Sequence, residues 1–206
     1  MTNLLLVISA PSGTGKTTIC DRLVSSCPDL AYSISFTTRS PRAGEIEGKH
    51  YQFVSEEGFK TLIRQGEFVE WAMVHGNYYG TPRGPLEESL AKGKTLVMDI
   101  DVQGGIQIKE KYKESVLIFI IPPSLEELKL RLNRRKTEDK ETITKRLRGA
   151  QEELKYASCY DYCLINHQID ETVNQLKAII AAEKCRVKRM SFDVFWLLEN
   201  NDYLGR

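Results

Sequence analysis

The chain has 206 residues, 41% of them hydrophobic and 28% charged, a globular composition with enough length for one substantial core. Its 29 Lys and Arg against 28 Asp and Glu leave a formal charge of +1, which argues against a general nucleic-acid binder and makes any basic site a local one. No apolar stretch reaches the ~18 residues of a membrane span, residues 1–8 lack a charged leader, and the five cysteines form no C-x-x-C pair; the expectation is a cytoplasmic protein with reduced thiols and neither membrane nor nucleic acid as partner.

The first element is an apolar run, Leu4 to Ile8, that enters the turn Ala10-Pro11-Ser12-Gly13-Thr14-Gly15-Lys16-Thr17-Thr18. Strand, small-residue loop, Lys-Thr and helix in that register are the parts of a triphosphate site. Gly13 and Gly15 can take positive φ and let backbone N–H groups converge on phosphate oxygens. The helix from Lys16 adds its unpaired donors, Lys16 is expected on the β- and γ-phosphates, and the Thr17 hydroxyl on Mg²⁺. Ala10 stands where the strict pattern has glycine, at the cost of one methyl group.

An amphipathic helix over 16–27 carries Ile19, Leu23 and Cys27 on one stripe and stops at Pro28. The texture then changes: Ser33–Arg39, His50–Val54 and Phe68–Val74 predict a small mixed β unit with one helix near Glu56–Gln65, capped by Ser55. Pro85 starts a short helix closed by Gly93. Thr95–Asp101 is a buried strand ending in acids, and Gln103–Tyr112 is helical. Val116–Ile121 is a second apolar strand, and Ser124-Leu125-Glu126-Glu127 is a capping box that opens a helix to about Arg134. A charged stretch over 133–146 leads into a helix from about Glu141 to Ala157. Tyr162–Asn166 is the last strand and Thr172–Met190 the last long helix. Strands alternating with helices give an α/β fold, a parallel sheet whose ligands sit at the carboxyl ends of its strands. That arrangement puts the loop and the Asp99/Asp101 pair on one rim.

The acceptor has to be read from residues 35–81 and 99–101. Arg39 and Arg42 bracket Ser40-Pro41 and suit bidentate capture of a phosphate; taken alone they fit a solvated surface equally well. Tyr51, Tyr78 and Tyr79 offer phenolic donors or simply pack a small sheet. Glu70 lies in an apolar β segment, where a carboxylate is costly unless paired. Guanine presents adjacent N1–H and N2–H₂ donors that one carboxylate accepts together, and adenine has no such pair. His50, His75 and His167 have no metal-ligand spacing and read as structural or exposed. Phe195 to Leu198 fits a packed terminal helix or a dimer contact.

Together the segments Ala10–Thr17, Thr37-Thr38-Arg39-x-Pro41-Arg42-x-Gly44-Glu45, Gly48-x-x-Tyr51-x-Phe53, Gly66-Glu67-Phe68-x-Glu70, Gly76-Asn77-Tyr78-Tyr79-Gly80-Thr81, Asp99-Ile100-Asp101-x-Gln103-Gly104 and Pro122-Pro123-Ser124 resemble guanylate kinases, in order from about residue 3 to 180. The resemblance implies a P-loop sheet core (1–32 and 82–206), a small mixed-β GMP-binding insertion (33–81) and a helical lid (about 133–147). It implies transfer of the ATP γ-phosphoryl group to GMP with Mg²⁺, by a monomer or homodimer. By similarity Arg39, Arg42, Tyr51 and Tyr79 hold the GMP phosphate, and Ser35, Glu70, Thr81 and Asp101 read the guanine. Asp99 lies between GMP and the Mg²⁺–phosphate region, reaching the metal through water. Arg135 and Arg146 match lid arginines that reach the ATP phosphates, and Asn166 matches an adenine contact. Lys16, Arg39, Arg135 and Arg146 form the catalytic set. Thr81 stands where Ser is common and Lys136 where Gly is frequent. Two other classes stay open at this level: a P-loop kinase for a different nucleoside monophosphate, and a non-catalytic phosphopeptide-binding module. The intact Gly15-Lys16-Thr17 argues against the module.

Overall fold

A computed structural model describes residues 4–42, 44–133 and 140–189. Its larger sheet has five parallel strands in the order β2 (Leu30–Tyr32), β7 (Thr95–Asp99), β1 (Leu4–Ser9), β8 (Val116–Ile121) and β9 (Tyr162–Ile165). Every residue of β1 is buried, and β8 is buried but for Ile121, because helices cover both faces and leave no solvent side for alternation. One face packs Leu4, Leu6, Ile8, Val97 and Ile118 on α1 (Lys16–Ser25) and α7 (Ile169–Lys184). The other packs Leu5, Val7, Met98 and Leu117 on α3 (Arg83–Ala91) and α4 (Val102–Lys111). Ile8 pairs with Asp99 and Ser9 with Phe119, so the strands end together at one rim, where the loop leaves β1.

The smaller sheet is mixed, in the order β4 (Tyr51–Phe53), β3 (Ser35–Thr37), β6 (Asn77–Pro82) and β5 (Phe68–Val74). Helix α2 (Glu56–Arg64) backs it through Phe59, whose ring stacks between Phe68 and Tyr78. The His75-Gly76 turn closes the β5–β6 hairpin with φ of 50° and 81°, the left-handed pair that the twist of a tight hairpin requires. A bulge between Phe68 and Glu70 shifts the register, so Glu70 stands opposite Thr81.

The sequence-derived elements recur with specific changes. Ser55 accepts the Gly58 amide and Ser124 the Glu127 amide, as their cap positions predict. The strand β6 was not among the predicted strands; both of its edges are paired, with β3 and β5, and its partial burial gives no alternation to read. The last long helix is displaced from the predicted 172–190 to α7, starting three residues earlier and closing at Cys185. Helix α6 (Lys140–Leu154) is followed by a 3₁₀ turn at Lys155–Cys159 rather than continuing to Ala157. Helix α5 (Leu125–Asn133) and α6 share a small core of Leu128, Leu132, Ile143 and Ala150. All five thiols are unpaired, and no helix among the described residues is long and apolar enough to cross a membrane.

Candidate active site

Apolar β1 delivers the chain to the rim and the small residues after it allow a tight return. Gly13 and Gly15 both sit at φ 95°, and Gly15 caps α1 with its backbone alone. A methyl group at Gly13 would meet Leu132 Cδ2 at 2.8 Å, so α5 packs directly against the loop. Ala10 is buried at 8% exposure, and its methyl group belongs to the core on the α1 face. Behind the loop, the buried Asn166 donates from Nδ2 to Thr14 O at 2.7 Å and accepts from Thr172 Oγ1 at 3.1 Å. Arg131 donates to the same Thr14 carbonyl at 3.3 Å and to Asn166 O at 3.1 Å.

Strand β7 ends at the loop's mouth. Lys16 Nζ donates to Ile100 O at 2.8 Å and pairs with Asp99 Oδ1 at 2.5 Å. Burial would pull the ammonium down, but Asp99 outweighs it and holds Lys16 above the ordinary lysine range. The other oxygen of Asp99 accepts from Thr17 Oγ1 at 3.2 Å and from Tyr32 OH at 3.0 Å. Burial beside Asp99 pushes the Tyr32 phenol far up, so it stays a donor. A hydroxyl and a carboxylate beside a phosphate loop are hard oxygen donors, the set that suits Mg²⁺. Among the described residues no cluster of three His, Cys, Asp or Glu forms a cage.

The second sheet faces this loop across a cleft of about 230 Å³ that takes in Ser12, Lys16, Tyr51, Tyr79, Asp101 and Glu153. The bulge turns Glu70 inward, at 3% exposure. Thr81 Oγ1 donates to Glu70 Oε1 at 2.6 Å, and the Ser35 hydroxyl lies 3.2 Å from Thr81 Oγ1. Burial raises the Glu70 carboxyl to about 7, with the Thr81 bond opposing and Asp101 adding. Asp101 caps α4 by accepting the Gly104 amide at 2.9 Å. A Cβ on Gly104 would come within 2.5 Å of Glu70 Oε2, so glycine there lets α4 close on the carboxylate.

Toward the open side, Arg39 donates from Nε to Tyr79 OH at 3.1 Å and lies over the Tyr51 ring. Glu45 takes both ends of its fork, at 2.8 and 3.0 Å, and also accepts the Arg42 amide at 2.7 Å. Burial acts against the Glu45 charge, but Arg39 holds its carboxyl below the ordinary range. Burial and Asp99 push the Tyr51 phenol up to about 12. The structure thus brings together Lys16, Thr17, Asp99 and Asp101 along the rim, and Ser35, Tyr51, Glu70, Tyr79 and Thr81 on the sheet, with Arg39 in the bend after β3. Arg42 is exposed at the cleft's edge, and Arg146 is half-buried on α6. Arg135, Lys136 and the Phe195–Leu198 cluster lie outside the described residues.

Sequence reasoning did not single out Tyr32, Arg131, Gly104 or Glu153, nor the roles of Glu45 and of the Asn166 side chain. Glu45 was within signal range, three residues beyond Arg42 in a loop already rich in site residues. The others become visible only when distant strands and helices meet.

The profile of the family described as Guanylate kinase matches residues 2–183. The chain belongs to the guanylate kinase family. It is 53% identical over 186 residues, 90% of each chain, to the guanylate kinase of Caldanaerobacter subterraneus subsp. tengcongensis. It is 49% identical to that of Clostridium tetani, over 91% of this chain and 89% of the other. The crystal structure of guanylate kinase from Anaplasma phagocytophilum superposes with a TM-score of 0.81 at 35% identity, covering 97% of this chain and 96% of that one. Guanylate kinases are nucleoside monophosphate kinases, so the α/β fold, the kinase class and the nucleotide-binding character follow for this chain.

Proposed function

We propose that the chain moves the γ-phosphoryl group of ATP to GMP, giving ADP and GDP. The observation that carries the reading is Glu70: a buried carboxylate held by Thr81, whose hydroxyl also meets that of Ser35, a residue lining the cleft that begins at the phosphate loop. Residues 10–18 bind ATP, with Asn166 supporting the loop at Thr14. Arg39, Arg42, Tyr51 and Tyr79 hold the GMP phosphate, while Ser35, Glu70, Thr81 and Asp101 read the base and Asp99 stands between the two substrates. Thr17, with Asp99 beside it, would hold the Mg²⁺ that accompanies ATP, and the ion would supply charge neutralisation on the phosphates. The 33–81 segment serves as the GMP-binding insertion on the core of 1–32 and 82–206. The 133–147 segment serves as the lid that brings Arg135 and Arg146 to the donor.

The chemistry needs no strong general base, because the attacking oxygen of GMP is already anionic. The obstacle is to bring a phosphate dianion in line with a polyanionic triphosphate. Lys16, Arg39, Arg135 and Arg146 offset that repulsion and stabilise the equatorial oxygens of the transferring group. Ion pairing to Asp99 and Glu45 fixes Lys16 and Arg39 before substrates arrive, so little reorganisation remains at the moment of transfer. Turnover of GMP, AMP, CMP and UMP in a coupled ADP assay tests the reading. GMP is expected to be preferred, and faster turnover of AMP or UMP would refute it.

A further inference from the structure

Thr81 holds the Glu70 carboxylate, but a side chain is aimed only as well as the backbone beneath it. β5 is the last strand of its sheet, so one of its edges meets no other strand. The bulge between Phe68 and Glu70 adds a residue, Val69, that the ladder with β6 leaves unmatched. Side chains alternate faces along a strand, so slippage by one residue would turn Glu70 out of its pocket.

Helix α4 closes that open edge with side chains. The Gln107 amide donates from Nε2 to Trp71 O at 2.9 Å and accepts the Trp71 N–H on Oε1 at 3.3 Å. It thereby exchanges two bonds with one residue, as the facing residue of an antiparallel strand would. One turn further on, Lys111 donates from Nζ to Val69 O. Gly104, Gln107 and Lys111 follow at helical spacing on one face of α4, and Gly104 lies against the Glu70 carboxylate itself. Main-chain groups on both sides of Glu70 are therefore tied to a helix of the core. Gln107 itself does not line the cleft.

We propose that Gln107 is a positioning residue for base selection: its amide locks the register of the bulge and so fixes both oxygens of Glu70 for a base with two adjacent donors. The inference rests on the reading of Glu70 as the guanine contact. An edge strand needs cover in any case, and many side chains supply that. Only an amide offers donor and acceptor together; a lysine gives the donor alone and an ionised glutamate the acceptor alone. A loosened bulge still lets one Glu70 oxygen find one donor. Meeting two donors at once requires the plane of the carboxylate to be held.

Initial rates of the full chain with GMP and with inosine monophosphate, which keeps N1–H but has no 2-amino group, test this. They are compared in the parent, Gln107→Met, Glu70→Gln and the double variant, with Gln107→Ala alongside and melting curves to check folding. Methionine matches glutamine in length and makes neither bond. In Gln107→Met the preference for GMP, taken as the ratio of the two kcat/KM values, should fall about tenfold, with kcat and the KM for ATP unchanged. In the Glu70→Gln background the same substitution should change the ratio by about twofold at most, since no carboxylate remains to be aimed. An unchanged ratio in both Gln107→Met and Gln107→Ala would overturn the proposal, and so would an equal fall in both backgrounds. Loss of folding in both variants would overturn it too, leaving the amide a structural tie. A parent without preference for GMP, or a Glu70→Gln variant that keeps it in full, brings down the guanine reading and this inference with it. A selective parent and a defective Glu70→Gln beside unresponsive Gln107 variants remove Gln107 alone.

Discussion

The proposed donor site offers main-chain amides of one short loop, steadied by Lys16. The proposed acceptor site offers side chains carried in by all four strands of the small sheet: Ser35, Tyr51, Glu70, and Tyr79 with Thr81. A backbone cradle is indifferent to most side chains and binds any polyphosphate. A side-chain pocket discriminates, because each hydroxyl or carboxylate fits one pattern of donors. Generality toward phosphate and selectivity toward the base are thus placed in separate parts of the molecule, and substitutions should separate them.

The largest effect is expected from Lys16→Ala, with kcat falling about 10³-fold or more while GMP affinity stays within about twofold by equilibrium titration. Normal turnover would dismiss the phosphate role of the loop. Next comes Glu70→Gln, which should raise the KM for GMP about a hundredfold and leave that for ATP unchanged; a defect confined to ATP would reverse the assignment.

Glu70 also couples the pocket to pH. In the proposed reading its ionised form accepts the guanine donors, so GMP affinity should fall as pH drops from 8 to 6, and Glu70→Gln should flatten that profile. Stability of the unliganded protein runs the other way. The folded carboxyl titrates near 7 and the unfolded one near 4.5, so the folded state binds the extra proton between them. Stability is then lost as pH rises through that window, by roughly 3 kcal/mol, and chemical denaturation of Glu70→Gln should lack this loss.

A smaller and equally one-sided effect is expected from Gly104→Ala, whose methyl group must displace Glu70 Oε2: about a tenfold rise in the KM for GMP, none for ATP. Tyr32→Phe removes one of the two hydroxyls on Asp99 and should lower kcat about fivefold or less, without changing selectivity among nucleotides.

What could be read from the chain follows the same division. The loop is contiguous, so its residues announce themselves at fixed spacing, and strands such as β8 are apolar throughout because both faces are covered. The acceptor residues are spread over 35–81 and came mostly through family resemblance; no local pattern distinguishes Tyr51 as a phosphate donor from Tyr51 as sheet packing. β6 escaped notice because its strand character comes from its two neighbours. The start of α7 was misjudged because Gln168 makes no side-chain cap there. Asn166 illustrates the limit well. The family resemblance marks it as an adenine contact, and its buried amide also donates to Thr14, a partner no spacing rule connects to it.

That bond to Thr14 links positions 152 residues apart, and Arg131 spans 117 to the same carbonyl. The loop therefore takes its final shape only once chain more than a hundred residues further on has folded against it. A chain that ends before β9 has the whole phosphate-binding signature and Arg131 but lacks the Asn166 brace for its turn. Fragments cut short of Asn166 should bind triphosphate more weakly than the full chain does.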